Sequence, residues 1–294
     1  MGVDLFFVIS GFVIYLSATG KDISPSTFIR HRLARVAPAY WVFTLITAVT
    51  LILLPGTVPL TLYEPLFMLK SLIFIPAQNP SGIGLYPLMT VGWTLNYEMA
   101  FYIVFLGSLF FPQKLRIPLI VLGVYLLYKA PPKLGDGFTF YGNPIVFEFL
   151  FGILIAYAYQ KKLVQRIHFL PAFLMAATSV AVIIYFGQTT HSPLKSGLPC
   201  AIILLAAISQ ERFFTRIDFI NKLGDWSYST YLCHVLIISG MVKIQQSLGL
   251  GHITTLLLII GLVIAASGLS FHFIEKPISR RVKRNESKTI VTTL

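Results

Sequence analysis

Four ionisable side chains fall where the surrounding residues are suited to hydrocarbon. They are Asp4 in "GVDLFFVISGFVIYLS", Glu98 in "VGWTLNYEMAFYIVF", Glu148 in "NPIVFEFLFGILIAY" and His234 in "WSYSTYLCHVLII". An ionisable group at the centre of a spanning helix costs about 2.5–3.5 kcal/mol on insertion scales, so such groups mark function or a specific partner. Carboxylates and imidazoles are also the groups that move protons near neutral pH. Glu98 stands beside Trp93, Thr94, Asn96 and Tyr97, a polar grouping that fits a pocket better than an isolated ion pair. Of the six histidines, His234 is the one in mid-span, and Ser227, Tyr231 and His234 recur at i, i+4 and i+7 on one helix face. Both a hydrogen-bonded structural role and a proton-transfer role fit it. No second His or Cys stands at ligand spacing, so no metal site is expected. Asp4 reads first as a group complementing a helix N-terminus. Glu148 fits a helix-pairing role and a site role equally.

The second chemical signal is basic. "FIRHRLARVAPAYW" sets Arg30, Arg32 and Arg35 ahead of Pro38, which is expected near a helix start. The positive-inside rule accounts for such a cluster without any ligand. Guanidinium groups also bind phosphates bidentately and stay charged, so anion recognition is the other reading. The later run "FIEKPISRRVKR" reads as orientation.

The elements that position these residues follow from composition. The 294-residue chain is 56% hydrophobic and 12% charged, against about a quarter charged in a soluble domain. Apolar length predicts nine helical spans near 2–18, 38–54, 88–112, 116–130, 144–160, 169–187, 197–210, 226–246 and 252–274. Segment 55–87 carries six prolines around "LFMLKSLIFIP" and reads as a long loop holding a short helix. Assigning alternate loops to alternate sides puts 18 of the 23 Lys and Arg on the side of the C-terminus, which is therefore expected to be cytoplasmic. The net charge of +12 thus serves orientation, and nucleic acid is not an expected partner. Cys200 and Cys233 both fall in apolar spans, so no disulfide framework is expected. The same alternation places Met1 outside, as if one crossing were missing ahead of it. The fold class is an all-α polytopic bundle, with a membrane domain over 1–275 and a basic cytoplasmic tail over 276–294.

Five stretches, taken in order, resemble the acyltransferase family 3 of membrane proteins. "GVDLFFVISGFVI" is similar to the family's second-helix signature, with Asp4, Ser10 and Gly11 on its characteristic positions. "RHRLARVAPAYW" resembles its Arg-rich entry to the next helix through Arg32, Arg35, Pro38 and Tyr40. "GWTLNYEMAFYIVF" is similar to a Trp-Ser-Leu-x-x-Glu-x-x-Phe-Tyr motif, with Trp93, Thr94, Glu98, Phe101 and Tyr102 in register. "LGDWSYSTYLCHVLI" resembles a Ser-Tyr-x-x-Tyr-Leu-x-His motif, and "FIEKPISRR" its closing Glu-x-Pro element. The wording around Asn96–Met99 looks most like the exopolysaccharide-modifying branch.

The resemblance implies transfer of an acyl group, expected to be acetyl from acetyl-CoA, to a hydroxyl of an exported polysaccharide or its lipid-linked precursor. The acyl-CoA is a donor substrate, and no tightly bound cofactor is expected. The setting is the inner, cytoplasmic membrane, with lipid as the remaining partner. Asp4, Glu98 and His234 are the catalytic candidates. Arg32 and Arg35 would hold the CoA phosphates, Trp93 or Tyr97 would stack on a sugar, and Ser10, Asn96, Ser227 and Tyr231 would line the substrate site. Family members carry a histidine, taken as the base, on a helix ahead of the first signature, and this sequence lacks that helix. A flippase for a lipid-linked saccharide and a non-catalytic remnant are the competing expectations.

Overall fold

The computed structural model describes residues 1–19, 23–58, 60–187, 191–215, 218–282 and 284. The expected tail beyond 284, like residue 283, lies outside them. The described residues are predominantly helical and contain no strand. In chain order the α-helices are α1 (Gly2–Thr19), α2 (Pro25–Leu53), α3 (Pro65–Leu72), α4 (Trp93–Ser108), α5 (Gln113–Lys129), α6 (Glu148–Gln160), α7 (Phe169–Phe186), α8 (Leu198–Ser209), the single turn α9 (Glu211–Phe214), α10 (Asp218–Leu248) and α11 (His252–Ser270). Every predicted span is helical, and the proline-rich segment holds α3, with Pro65 in its first turn. Among the described residues, five helical stretches are long and apolar enough to cross a bilayer, against the nine spans expected, and a sixth is if the bent pair Asp136–Gly142 and Pro144–Gln160, kinked by 49°, counts as one span.

Two boundaries differ from expectation. Helix α2 begins at Pro25, so Pro38 lies inside it, and α10 begins at Asp218, eight residues ahead of its apolar run. Apolar length measures the part of a helix immersed in hydrocarbon, while the backbone ladder continues into polar sequence. Pro38 removes one donor from that ladder, a loss that neighbouring polar groups can offset. Independently of that loss, Tyr228 Oη ties α10 to α2 by donating to the Val36 carbonyl at 2.7 Å.

The chain divides into two compact units. One comprises 1–28 and 97–220, the other 29–96 and 221–294. In the first, α1 crosses α6 at close range because both carry glycine at the crossing. A Cβ on Gly11 would lie 2.1 Å from the Phe149 carbonyl oxygen, and one on Gly152 would lie 2.0 Å from that of Val8. Small residues at such crossings are how helices associate where lipid gives no hydrophobic drive. Phe149 then stacks on Phe101 of α4 at 4.3 Å and meets Phe7 of α1 at 4.8 Å. Val8, Ile155 and Ala201 close the crossing against α8.

In the second unit the long loop is ordered by side chains that satisfy its backbone. Asn79 Nδ2 donates to Thr61 Oγ1 and the Tyr86 carbonyl, while its Oδ1 accepts from the Ser81 amide and hydroxyl. Ser71 Oγ donates to the Phe67 carbonyl and accepts from the Leu88 amide. Tyr40 of α2, fully buried, donates to the Ser71 carbonyl at 3.0 Å and stacks on Phe74. Helix α11 is inverted relative to a water-soluble helix. Its buried residues are Thr255, Ser267 and Ser270, whereas Leu256, Leu257 and Ile260 are exposed. That pattern suits lipid outside and polar pairing inside.

Candidate functional site

Two polar clusters occupy the first unit, both rooted on α1. At the first, Glu98 is held by two hydroxyls. Ser10 Oγ donates to Glu98 Oε1 at 3.2 Å, and Tyr102 Oη donates to the same oxygen at 2.7 Å. Tyr102 follows Glu98 by one turn of α4, so helix geometry alone brings them together. Ser10 comes from 88 residues away and depends on packing. All three residues are buried. Two donors on one carboxylate oxygen fix its direction.

The second cluster surrounds Asp4, which is wholly buried. Ser196 Oγ donates to Asp4 Oδ1 at 2.8 Å, and His191 Nδ1 lies 3.5 Å from the same oxygen. The Met1 amine lies 2.7 Å from Oδ2. Helix α6 opens beneath this cluster. Asn143 Oδ1 accepts from the Ile145 amide, capping the 3₁₀ turn Pro144–Phe147 that leads into α6 at Glu148. Glu148, also wholly buried, lies beside Asp4 and packs on Gly197, where a Cβ would come within 2.6 Å of its Oε1. Asp4 therefore does more than complement a helix end, and Glu148 sits next to it.

The second unit holds the remaining candidates. Arg35 Nη1 donates to Glu275 Oε2 at 2.8 Å, and its guanidinium lies 5.8 Å from the centre of the Tyr228 ring. Glu275, nearly fully buried, is within 2.5 Å of Ser229 Oγ, which is within 2.6 Å of Ser270 Oγ. The closing Glu-x-Pro element thus anchors the arginine-rich turn. Arg32 is half-buried on the same helix. Tyr231 Oη donates to the Val91 carbonyl at 2.6 Å and lies 2.8 Å from Thr94 Oγ1, so it clamps the turn that starts α4. His234 Nδ1 lies 2.8 Å from the Tyr231 carbonyl in its own helix. Ser227 Oγ turns back to the Gly224 carbonyl. Trp93 meets Tyr86 edge-on at 6.2 Å, and Asn96 is buried.

Of the predicted residues, then, Ser10 and Glu98 share one hydrogen-bonded group, Asp4 belongs to another in the same unit, and His234 belongs to the other unit. Tyr97 is buried with one face stacked on Phe140 at 4.2 Å, and its hydroxyl donates to the Phe140 carbonyl. The sequence reading did not single out His191 or Ser196. Both lie near residue 190, outside the apolar runs that drew attention, and only folding brings them to Asp4.

Comparison with known proteins gives this geometry a context. ExoZ of Rhizobium meliloti (strain 1021), an exopolysaccharide production protein, is 33% identical over 293 residues, covering 95% of this chain and 89% of its own. The acyltransferase MdmB of Streptomyces mycarofaciens is 24% identical, over 97% of this chain and 82% of its own. YrhL of Bacillus subtilis (strain 168), a proposed peptidoglycan O-acetyltransferase, is 28% identical over 99% of this chain, which spans 52% of YrhL. No solved structure matches. The family model described as an acyltransferase domain covers residues 1–274, so this multi-pass helical membrane protein belongs to acyltransferase family 3.

Proposed function

We propose that the chain transfers an acetyl group from acetyl-CoA to a hydroxyl of an exported or cell-surface polysaccharide, or of its lipid-linked precursor. The family assignment supports acyl transfer, and 33% identity to an exopolysaccharide production protein over most of both chains supports the acceptor class. The observation that carries the reading is Glu98. A buried carboxylate oriented by two hydroxyl donors is costly in a spanning helix unless it serves a substrate.

A sugar hydroxyl is a weak nucleophile at neutral pH, so transfer needs a proton acceptor and donors for the developing oxyanion. Glu98 accepts hydrogen bonds and orients a hydroxyl-bearing ligand. Arg35, held at Nη1 by Glu275, offers its other guanidinium N–H groups to a CoA phosphate, with Arg32 on the same helix. The enzyme sits in the cytoplasmic membrane with its C-terminus inside.

The test uses membranes carrying the chain, supplied with acetyl-CoA and exopolysaccharide lacking acetyl groups. Free thiol should appear only when both are present, and O-acetyl signals should appear in the polysaccharide by NMR. Saccharide movement across vesicles without thiol release would replace this reading with a flippase.

A further inference from the structure

A groove between α4 and α5 belongs to neither polar cluster. Both helices and the chain that follows α5 lie in the first unit. After α5 the chain makes two 3₁₀ turns, Pro131–Leu134 and Asp136–Gly142, and reverses between them at Gly135, whose φ is 75°. The turns pack closely, since a Cβ on Gly142 would lie 3.3 Å from Pro132 Cγ. They form one end of a groove of about 420 Å³, a size typical of small-ligand sites. Ile103 and Val104 of α4, Gly123 and Leu126 of α5, and Phe138 and Tyr141 of the second turn line it. Ile103 and Leu126 are exposed, so the groove opens to the side where lipid lies.

The end formed by the turns is not a bare hydrocarbon face. Tyr141 is 8% exposed, and its hydroxyl makes no hydrogen bond among the described residues, which leaves a polar group for a groove ligand to satisfy. Lys129 and Lys133 are exposed beside the lining residues Ala130 and Leu134, and neither forms an ion pair among the described residues. Asp136 is the one carboxylate in the same stretch, so the excess is positive. Loop alternation leaves five basic residues on the side opposite the C-terminus, and these are two of them, where the positive-inside rule does not call for them. An apolar groove with a buried hydroxyl and two cations at one end complements an amphiphile with an anionic head. The same end adjoins the Glu98 group. Tyr97, next to Glu98 on α4, meets Tyr141 edge-on at 5.7 Å and Phe7 at 5.8 Å, and Phe7 lies one turn before Ser10.

We propose that this groove docks the acceptor as a lipid-linked saccharide. The apolar chain lies along α4 and α5, the phosphate joining it to the sugar meets Lys129 and Lys133, and Tyr141 donates to the head group. The proposal rests on the acyl-transfer reading above and favours the lipid-linked precursor over finished polymer. A chain held in the groove confines its sugar to the neighbourhood of Tyr97 and Glu98, so remote binding positions the reacting hydroxyl.

The test uses the full chain in phosphatidylcholine nanodiscs with acetyl-CoA and two forms of one acceptor. They are the lipid-linked saccharide extracted from membranes of the producing cells and the same saccharide cut from its lipid phosphate by mild acid. Thiol release with neither form removes the acyl-transfer reading and this proposal with it. Given thiol release, the lipid-linked form should have the lower KM, and equal values overturn the proposal alone. Leu126→Trp, which fills the groove, should raise the KM for the lipid-linked form about 10-fold and leave those for acetyl-CoA and the released saccharide unchanged. Replacing Lys129 and Lys133 together by Gln should raise the same KM several-fold, more at low salt than at high, and Tyr141→Phe should raise it too. Both lysines are exposed, so their replacement tests the head-group contact even where Leu126→Trp fails to fold. Leu122→Trp, also exposed on α5 but outside the lining, should match the wild type. If Leu126→Trp and Leu122→Trp behave alike, the groove is an ordinary lipid-facing furrow and the proposal falls. It falls equally if the losses extend to the released saccharide.

Discussion

Glu98 separates charge from packing in a way that a single substitution can exploit. Its Oε1 accepts from Ser10 and Tyr102, and the carbonyl oxygen of a glutamine can accept the same two bonds. Glu98→Gln should therefore shift the thermal midpoint little while lowering acceptor-dependent thiol release about 100-fold, if charge is what the substrate meets. Tyr102→Phe removes one donor and leaves the carboxylate in place, so a loss of about 10-fold is expected. A Glu98→Gln enzyme with the wild-type rate would make the residue structural. The Arg35–Glu275 pair calls for a cycle. If Glu275 acts by holding the guanidinium, then Arg35→Lys and Glu275→Gln should each raise the KM for acetyl-CoA several-fold, and the double variant should be no worse than either. Additive losses, read from donor titrations, would assign the two side chains separate tasks. At this scale the sequence exposed residues whose placement is costly. It did not expose their partners, because Ser10 is 88 residues from Glu98 and Ser196 is 192 residues from Asp4.

Helices were the most legible elements, since the requirement for an apolar run of bilayer length is a strong constraint on sequence. What remained hidden was their polar extension, as in α2 from Pro25 and α10 from Asp218, where hydropathy stops reporting but hydrogen bonding does not. The α1–α6 crossing was legible only in part. Gly11 stood out within its signature, whereas Gly152 in "FEFLFGILIAY" looked like one small residue in a greasy helix. Their shared role predicts a shared cost. In Gly11→Ala and Gly152→Ala the new Cβ meets backbone oxygens of the opposite helix, which cannot swing aside as a side chain would. The helices must part, loosening the Phe7–Phe149–Phe101 stack, so each variant should lose about 1–3 kcal/mol and show a lower melting midpoint in detergent. Gly261→Ala on α11 is the control. Nothing lies within 4 Å of its added Cβ, so it should hold or gain stability. Equal midpoints for all three variants would remove the close crossing as a determinant of the fold.

Across the whole molecule, the charge asymmetry makes a claim that no single helix can make. If the nine expected spans all cross, 18 of the 23 basic residues fall on one set of alternate loops, so one orientation satisfies the positive-inside rule and its inverse reverses the excess. The proposed transfer, from a cytoplasmic acyl-CoA to an acceptor outside, requires loops of known side. Cysteine labelling can read that side in each unit. The two native cysteines are buried and should react little. Lys133→Cys and Lys161→Cys probe opposite ends of the first unit, and Lys243→Cys and Arg280→Cys those of the second, all at exposed positions. In spheroplasts an impermeant maleimide should label positions 133 and 243, while 161 and 280 should react only after the membrane is opened. If position 280 were labelled from outside, Arg32 and Arg35 would face away from the cytoplasmic pool of acyl-CoA and could not be its phosphate ligands. If 161 and 280 responded oppositely, the helix count between them would be wrong and the alternation itself would fail.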